Sequence, residues 1–238
     1  MGVKMKVSLS TELLKNYPAT NIGVIKAKVI VQASCDYTDH LMSKLKDDLG
    51  RTGLNPCNYT IHPDIALWLR IYQVDFGINP KTYRSSVDVL VRRALTKNTL
   101  WKISNIVDLY NCCSVKHLFP MGAYDLAKIT GDIQIRYGKE NETFQGIGQT
   151  RLQPVLPNHI VYADNEKILC WLWNHKDSQL SCIDRQTKEA IFFVDSIGNP
   201  KHSSVENACQ ELLQHLTDMG CQVDKLAMLN QLNPKISL

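Results

Sequence analysis

The sequence lacks the features that mark membrane and secreted proteins. Its 238 residues contain no apolar run of roughly eighteen positions, so no transmembrane helix is expected. The opening segment, MGVKMKVSLSTELLK, has no continuous apolar core of the kind found in signal peptides. We therefore expect a cytoplasmic protein without a membrane partner.

Several sequence motifs of metal and cofactor chemistry are also missing. The eight cysteines include no Cys-x-x-Cys pair, and the seven histidines include no His-Glu-x-x-His pair. There is no Walker loop and no Gly-x-Ser-x-Gly elbow, and Gly146-x-Gly148 lacks the third glycine and strand-to-helix context of a dinucleotide site. Most cysteines stand among apolar residues, as reduced core cysteines do. We expect no metal and no cofactor.

Charge is nearly balanced over the whole chain, at a net +4, but it is unevenly distributed. Residues 81–137 carry nine cations and four carboxylates, an excess of +5. The cations are Lys81, Arg84, Arg92, Arg93, Lys97, Lys102, Lys116, Lys128 and Arg136. Such an excess suits contact with phosphates, and a solvated helix face explains it nearly as well.

Two helices are predicted in the centre of the chain, between residues 83 and 118. Ser85 or Ser86 can cap the first helix and Ser104 the second, because a serine oxygen accepts a bond from a free amide of the opening turn. The second helix must end before Pro120, which disfavours a helical residue ahead of it. Pro120 and Gly122 then predict a sharp turn.

That turn is expected to present Tyr124 and Asp125. Asp108 and Asn111 are three positions apart on the second helix, so they share one side of it, near the turn. A purely structural interpretation is open for all of them. In it, Asp108 and Asn111 tie down the loop, and Asp125 caps the segment that follows.

The rest of the chain predicts an α+β fold with a mixed or antiparallel sheet and flanking helices. Strands are expected at 5–9, 22–31, 133–137, 160–163, 168–173 and 190–194, and helices at 10–17, 39–49, 63–76 and 204–219. The strand at 22–31 is expected to be half-buried, with Lys26 and Lys28 on its polar face. Ser203 and Glu206 form a capping box for the last helix. One domain is expected, with an N-terminal part (1–80), a motif-bearing core (81–200) and a C-terminal helix and tail (201–238).

Two segments of the central stretch resemble a known family. Asn-Ile-Val-Asp-Leu-Tyr-Asn (105–111) and Phe-Pro-Met-Gly-Ala-Tyr-Asp-Leu (119–126) are similar to the B3/B4 editing domain of the bacterial phenylalanyl-tRNA synthetase beta subunit. That family reads Asn-Val-Val-Asp-Val-Thr-Asn and Gln-Pro-Met-His-Ala-Phe-Asp. Further blocks match at 131–133, 160–164 and 173–187, and freestanding B3/B4 proteins carry the Met-Gly-Ala-Tyr-Asp form. The resemblance covers roughly residues 85–197.

A polar segment after the strand at 168–173 is a second place for chemistry. Asn174, Lys176 and Asp177 offer an amide, a cation and a carboxylate beside an aromatic wall, as a small polar ligand would require. A solvated loop is the structural alternative. Thr187 matches a threonine of the family and either lines the same pocket or caps the turn before the next strand.

The resemblance implies an editing reaction, in which water attacks the ester at the 3′ end of a mischarged tRNA. By position, Asn111 would orient the ester or the water, with Lys176 and Asp177 as further catalytic candidates. Gly122, Tyr124, Asn174 and Thr187 would bind the substrate. No metal or covalent enzyme intermediate is implied.

This chain departs from the family pattern at two positions. Gly122 stands where the synthetase has a pocket histidine, and Tyr110 replaces its threonine. A freestanding deacylase that acts on aminoacyl-tRNA in trans is therefore one hypothesis. A module that binds a tRNA end or an amino-acid-like ligand without catalysis is the alternative, and a role in protein interaction is a third. Aminoacylation is excluded because the catalytic core and anticodon-binding domain are missing.

Overall fold

A sheet of six strands forms one side of the molecule. The computed structural model describes residues 5–198 and 203–238. The strands, in spatial order, are β12 (Lys235–Ser237), β1 (Lys6–Leu9), β4 (Ile133–Tyr137), β7 (Ile160–Ala163), β8 (Ile168–Trp171) and β9 (Lys176–Asp177). Only β1 and β4 run parallel, so the sheet is mixed.

A second sheet of four antiparallel strands packs against the first. Its order is β11 (Gln222–Asn230), β2 (Asn21–Lys28), β10 (Glu189–Ser196) and β3 (Met121–Asp125). A short pair, β5 (Thr143–Phe144) and β6 (Gln153–Pro154), lies apart from both.

Two of the helices begin at caps that the sequence predicts. The helices are α1 (Thr11–Asn16), α2 (Asp36–Arg51), α3 (Pro63–Arg70), α4 (Ser86–Lys97), α5 (Asn105–His117) and α6 (Ser203–Asp218). A π-helical turn (Ile71–Asp75) extends α3, and 3₁₀ turns occupy Tyr59–Ile61 and Leu126–Lys128. Ser85 caps α4 and Ser104 caps α5, each accepting a bond from the backbone three residues on. The capping box at Ser203 rests on a side chain outside the described residues.

The four-stranded sheet is covered on both faces. Ile25 and Phe192 pack with α5 and α6, while Val24 and Phe193 on the opposite face pack toward the six-stranded sheet. The expectation of a half-buried strand at 22–31 is therefore wrong. Lys28 is the one exposed residue of β2, because the strand lies between β10 and β11 with a layer on either side.

Two further expectations near the centre of the chain are corrected. Residues 121–125 form β3 rather than a sharp turn, because their backbone pairs with β10 with Gly122 opposite Phe193. Asp108 does not hold the loop after α5. Its carboxylate accepts a bond from the amide of Ile103 at 2.9 Å, which closes the segment ahead of that helix.

The C-terminal segment is more ordered than the predicted tail. Gln222–Asn230 forms β11, which pairs along the whole length of β2, and Lys235–Ser237 forms β12 beside β1. One hydrophobic cluster contains residues from Val7 to Ile236, so both ends of the described chain contribute to the same core. The division of a single domain into three parts stays a prediction. No helix in the described residues has the length and apolar character needed to span a bilayer.

Close packing of α6 on β2 depends on Gly23. A Cβ atom added there would clash with the Sγ of Cys209, which is fully buried on α6. We expect Gly23→Ala to lower the free energy of unfolding by about 1–3 kcal/mol, the usual cost of overpacking a core. Chemical denaturation measures this change.

The Cys209→Ala variant is the control. It removes the Sγ atom and leaves only the Cβ of residue 209, at 3.7 Å from the added methyl group. The double variant should therefore lose less stability than the sum of the two single variants. Strict additivity would contradict this packing.

Candidate functional site

The site is positioned by an unusual turn between β8 and β9. Leu172 and Trp173 have φ angles of 53° and 64°, a left-handed conformation that costs residues with side chains about 1–2 kcal/mol each. Trp173 is fully buried, with its ring edge-on to Tyr17 at 5.1 Å and to Trp68 at 5.3 Å. Its amide donates to the carbonyl of Ile160 at 2.6 Å. This anchored turn directs the following residues into β9.

Asp177 on β9 meets two predicted site residues of β3. The Tyr124 hydroxyl donates to Asp177 Oδ1 at 3.2 Å. Gly122 faces the same carboxylate, and a Cβ atom at Gly122 would lie 3.8 Å from both oxygens. Gly122 and Tyr124 are two residues apart in a strand, so they share one face of the sheet. We call Gly122, Tyr124 and Asp177 the Asp177 cluster.

The environment of Asp177 disfavours its charged form. The side chain is half-buried, and desolvation raises its pKa from 3.8 to about 6. Hydrogen bonds from Cys170 and Tyr124 favour the carboxylate and partly oppose this shift. Asp177 is thus close to its titration point at neutral pH, as a general base requires.

Asp195 is a second buried acid, which sequence reasoning missed. It accepts hydrogen bonds from the Tyr162 hydroxyl and from Asn174 Nδ2, the latter at 3.5 Å. Desolvation raises its pKa to about 7, and the charge of Asp177 adds to the shift. The sequence does hold a signal for this buried acid, because Asp195 ends the apolar strand Ala-Ile-Phe-Phe-Val-Asp (190–195).

Asn174 supports the cluster from inside the core. Its Oδ1 accepts a bond from the Tyr72 hydroxyl at 3.3 Å, and its Nδ2 donates to Asp195. Its backbone carbonyl accepts from the amide of Ser86 at 3.0 Å, which ties the turn to the start of α4. Both ends of its amide are therefore engaged within the protein.

Thr187 lies on the other side of β3 from the Asp177 cluster. Its hydroxyl donates to Asp125 Oδ2 at 2.8 Å and accepts from the amide of Asp184 at 3.0 Å. Asp125 neighbours Tyr124 along the strand, and successive strand residues point to opposite faces. These contacts match the alternative in which Thr187 holds the turn before β10. Asp125 also caps the 3₁₀ turn that follows it, through the amide of Ala127 at 3.0 Å.

Lys176 and Asp177 do not converge. Asp177 lies opposite Cys170 in the sheet, and Lys176 lies opposite Trp171, so their side chains take opposite faces. The Lys176 stem covers Gly146, where an added Cβ atom would meet the lysine Cδ at 2.8 Å. Its ammonium forms no ion pair with any residue that the structure describes.

Asn111 occupies a half-buried position on α5, the helix that packs against β3. Among residues 5–198 and 203–238, its side chain has no hydrogen-bond partner. Desolvation, and then the charge of Asp177, raise the pKa of the neighbouring Tyr110 well above the usual value. The structure therefore joins three predicted site residues, Gly122, Tyr124 and Asp177. It does not join Asn111, Asn174, Lys176 or Thr187 to them by a hydrogen bond.

The sequence profile of the B3/4 domain family matches residues 69–217, more than half of the chain. The chain belongs to the B3/4 domain family. The matched segment contains the Asp177 cluster, Asp195 and all seven predicted site residues.

Relatives of known name are beta subunits of phenylalanine–tRNA ligase. The Chromobacterium violaceum protein is 37% identical over 79 residues, which are 33% of this chain and 10% of the relative. The Fusobacterium nucleatum protein is 38% identical over 90 residues, 36% of this chain and 10% of the relative. Each match therefore spans about a tenth of the relative's length.

A solved structure with partial likeness is an N-terminal fragment of the phenylalanyl-tRNA synthetase beta subunit from Pyrococcus horikoshii. The superposition covers 97% of this chain and 56% of that chain, with a TM-score of 0.47 and 12% sequence identity. The evidence for a relation to the beta subunit is the family match and the similarity to the sequence relatives.

Asp195 predicts a pH-dependent contribution to stability. Its pKa is about 7 in the folded protein, against 3.8 for an unperturbed aspartate. Between these values the folded state keeps a proton that the unfolded state has released, so the free energy of unfolding falls as pH rises. We expect the melting temperature of the wild type, relative to Asp195→Asn, to fall from about pH 4 to about pH 7.

Differential scanning fluorimetry at several pH values measures this difference. The variant Asp224→Asn changes an exposed aspartate and is the matched control, with no such trend expected. A constant difference in melting temperature between the wild type and Asp195→Asn across this range would contradict the raised pKa of Asp195.

Proposed function

We propose that this protein binds the aminoacylated 3′ end of a tRNA and hydrolyses a misattached amino acid in trans. The membership in the B3/4 family and the relation to phenylalanine–tRNA ligase beta subunits support an aminoacyl-tRNA partner. The observation that carries the hydrolytic part is the Asp177 cluster, a carboxylate of raised pKa held by a tyrosine hydroxyl beside a glycine.

In this proposal Asp177 is the general base. Its carboxylate accepts a proton from water as the water oxygen attacks the ester carbonyl carbon. The bond to the ribose oxygen then breaks, and the protonated Asp177 returns the proton to that leaving oxygen. Tyr124 fixes the orientation of the carboxylate through its hydrogen bond. Asp177 is again a carboxylate at the end of the cycle, so the protein is unchanged.

Gly122 supplies space in this proposal. No side chain stands between Gly122 and the carboxylate of Asp177, and a Cβ atom there would make only ordinary van der Waals contacts with it. The ester or the attacking water would occupy that space. The synthetase has a histidine at this position, whereas glycine has no side chain that could donate a proton. Proton transfer is therefore assigned to Asp177.

The remaining candidates take supporting roles. Lys176, whose ammonium has no carboxylate partner in the described part of the chain, would contact a phosphate of the RNA. Asn111 would orient the ester from α5. Asn174 and Thr187 are positioning residues, since Asn174 acts through Asp195 and Thr187 through Asp125.

The direct test is deacylation of a panel of mischarged tRNAs by the purified protein, including phenylalanine tRNA that carries tyrosine. We expect release above the spontaneous rate for at least one pair. Asp177→Asn should reduce kcat by about 100-fold or more, because it removes the base while keeping the shape of the side chain. Asp224→Asn is the matched control and should retain full activity.

A second variant tests the residues outside the cluster. The double substitution Asn111→Ala with Lys176→Ala should weaken substrate binding, seen as a higher KM, because a phosphate contact and an ester contact are removed. Normal kinetics in the folded double variant would reject these two assignments. Normal kinetics in Asp177→Asn would reject the proposed base.

The lack of a proton donor at Gly122 also favours a second function, a binding module without catalysis. A site without the histidine of the synthetase could hold a tRNA end or an amino-acid-like ligand and leave it unchanged. Saturable binding of the charged tRNA with no release of the amino acid, from any member of the panel, would favour this module over the hydrolase.

A further inference from the structure

Trp101 is exposed, unlike the other tryptophans of this chain. It is 47% exposed, while Trp68, Trp171 and Trp173 are each at most 5% exposed. It lies in the short connection between α4 and α5. An exposed indole offers a flat face on which a ligand can stack, and its surroundings indicate which ligand chemistry suits it.

One face of the Trp101 ring is already covered by a cation. The guanidinium carbon of Arg93 lies 4.1 Å from the ring centroid, within the range of a cation–π contact. The Arg93 Nε is buried and has no hydrogen-bond partner among the described residues. The Arg93 side chain is therefore held by stacking, and no aromatic ring of the described chain stacks on Trp101.

The segment around this stack is strongly basic. Residues 92–102 carry four cations, Arg92, Arg93, Lys97 and Lys102, and no carboxylate. Lys97 follows Arg93 by four residues on α4, so the two side chains share one face of the helix. Lys102 pairs with Asp39 at 2.7 Å, which leaves three cations of this segment without an ion pair among the described residues.

We propose that Trp101 is a stacking platform for an unpaired nucleotide of an RNA. The base would stack on the free face of the indole, and Arg92 and Lys97 would contact the adjoining phosphates. An aromatic ring beside mobile cations is the combination by which proteins bind single-stranded nucleic acids. The positive charge of residues 92–102 complements this polyanion.

The platform lies beyond the far end of α4 from the turn at Asn174. The start of α4 contacts the turn at Asn174, and its far end carries Lys97. A helix of twelve residues is about 18 Å long. An RNA whose 3′ end reaches Asp177 could therefore place an upstream unpaired nucleotide on Trp101. Only the identity of this RNA as a tRNA rests on the proposed function.

Intrinsic tryptophan fluorescence tests the platform. Of the four tryptophans, Trp101 is the exposed one, so a ligand that stacks on it should quench its emission. The probes are uncharged tRNA and a single-stranded RNA of about ten nucleotides, within the usual footprint of such sites. We expect both to quench the fluorescence of the wild type and not that of Trp101→Phe. Quenching that persists in Trp101→Phe, or no quenching by either probe, would overturn the proposal.

Affinity measurements by filter binding separate stacking from charge. Trp101→Ala should weaken binding of the single strand by roughly 5- to 100-fold, the usual effect of losing one stacked base. Arg92→Ala with Lys97→Ala should reduce the salt dependence of log Kd by about 1.4, since two phosphate contacts are lost. The control pair Lys15→Ala with Lys46→Ala removes two exposed lysines and should change neither quantity.

A loss of affinity in the charge variant alone, with Trp101→Ala unaffected, would indicate general electrostatic binding and overturn the platform. Quenching of Trp101 by poly-glutamate to the same extent as by RNA would indicate an acidic protein partner and overturn it as well. Platform binding without turnover of any charged tRNA would reject the hydrolase and leave the platform standing. If charged tRNA is hydrolysed and Trp101→Ala binds RNA with a normal Kd, the platform is rejected and the hydrolase stands.

Discussion

The burial of Trp173 is the constraint on which the candidate site depends. Two successive residues with side chains adopt left-handed backbone angles at Leu172 and Trp173, at a cost of about 1–2 kcal/mol each. Removing a buried tryptophan typically costs about 3–5 kcal/mol, so the packing of Trp173 is sufficient to offset this strain. The turn then fixes where Asn174 and Asp177 lie, and strained residues of this kind persist only where the surrounding packing holds them.

The two acids beside this turn have different surroundings. Asp195 is fully enclosed and hydrogen-bonded by Tyr162 and Asn174, which makes it a structural acid despite its raised pKa. Asp177 is only half-buried and accepts a hydrogen bond from Tyr124 at 3.2 Å. Desolvation therefore raises the pKa of both acids, although one lies in the core and the other nearer the surface.

Local sequence signals predicted the parts of the fold that depend on neighbouring residues. Helix caps such as Ser85 and Ser104 were predicted and are confirmed, because a cap needs only residues three positions away. The pairing of Gln222–Asn230 with β2 was not predicted, since the two segments are far apart in the chain. The opposite orientations of Lys176 and Asp177 were not predicted either. They follow from strand β9, which is too short to show an alternating pattern in the sequence. The predicted grouping of Gly122, Tyr124 and Asp177 rested on resemblance and remains a prediction as a functional site.

The most direct test of the account is to locate the ligand on the protein. A non-hydrolysable analogue, tyrosine linked by an amide to the 3′ position of adenosine, can be titrated into isotope-labelled protein and followed by NMR. If the ligand binds at the Asp177 cluster, the largest chemical shift changes should fall on the backbone amides of Gly122, Tyr124 and Asp177, with smaller ones at Asn174. Saturable shifts elsewhere, such as in the cleft of about 420 Å³ that Leu45, Lys116 and Glu211 help to line, would contradict it.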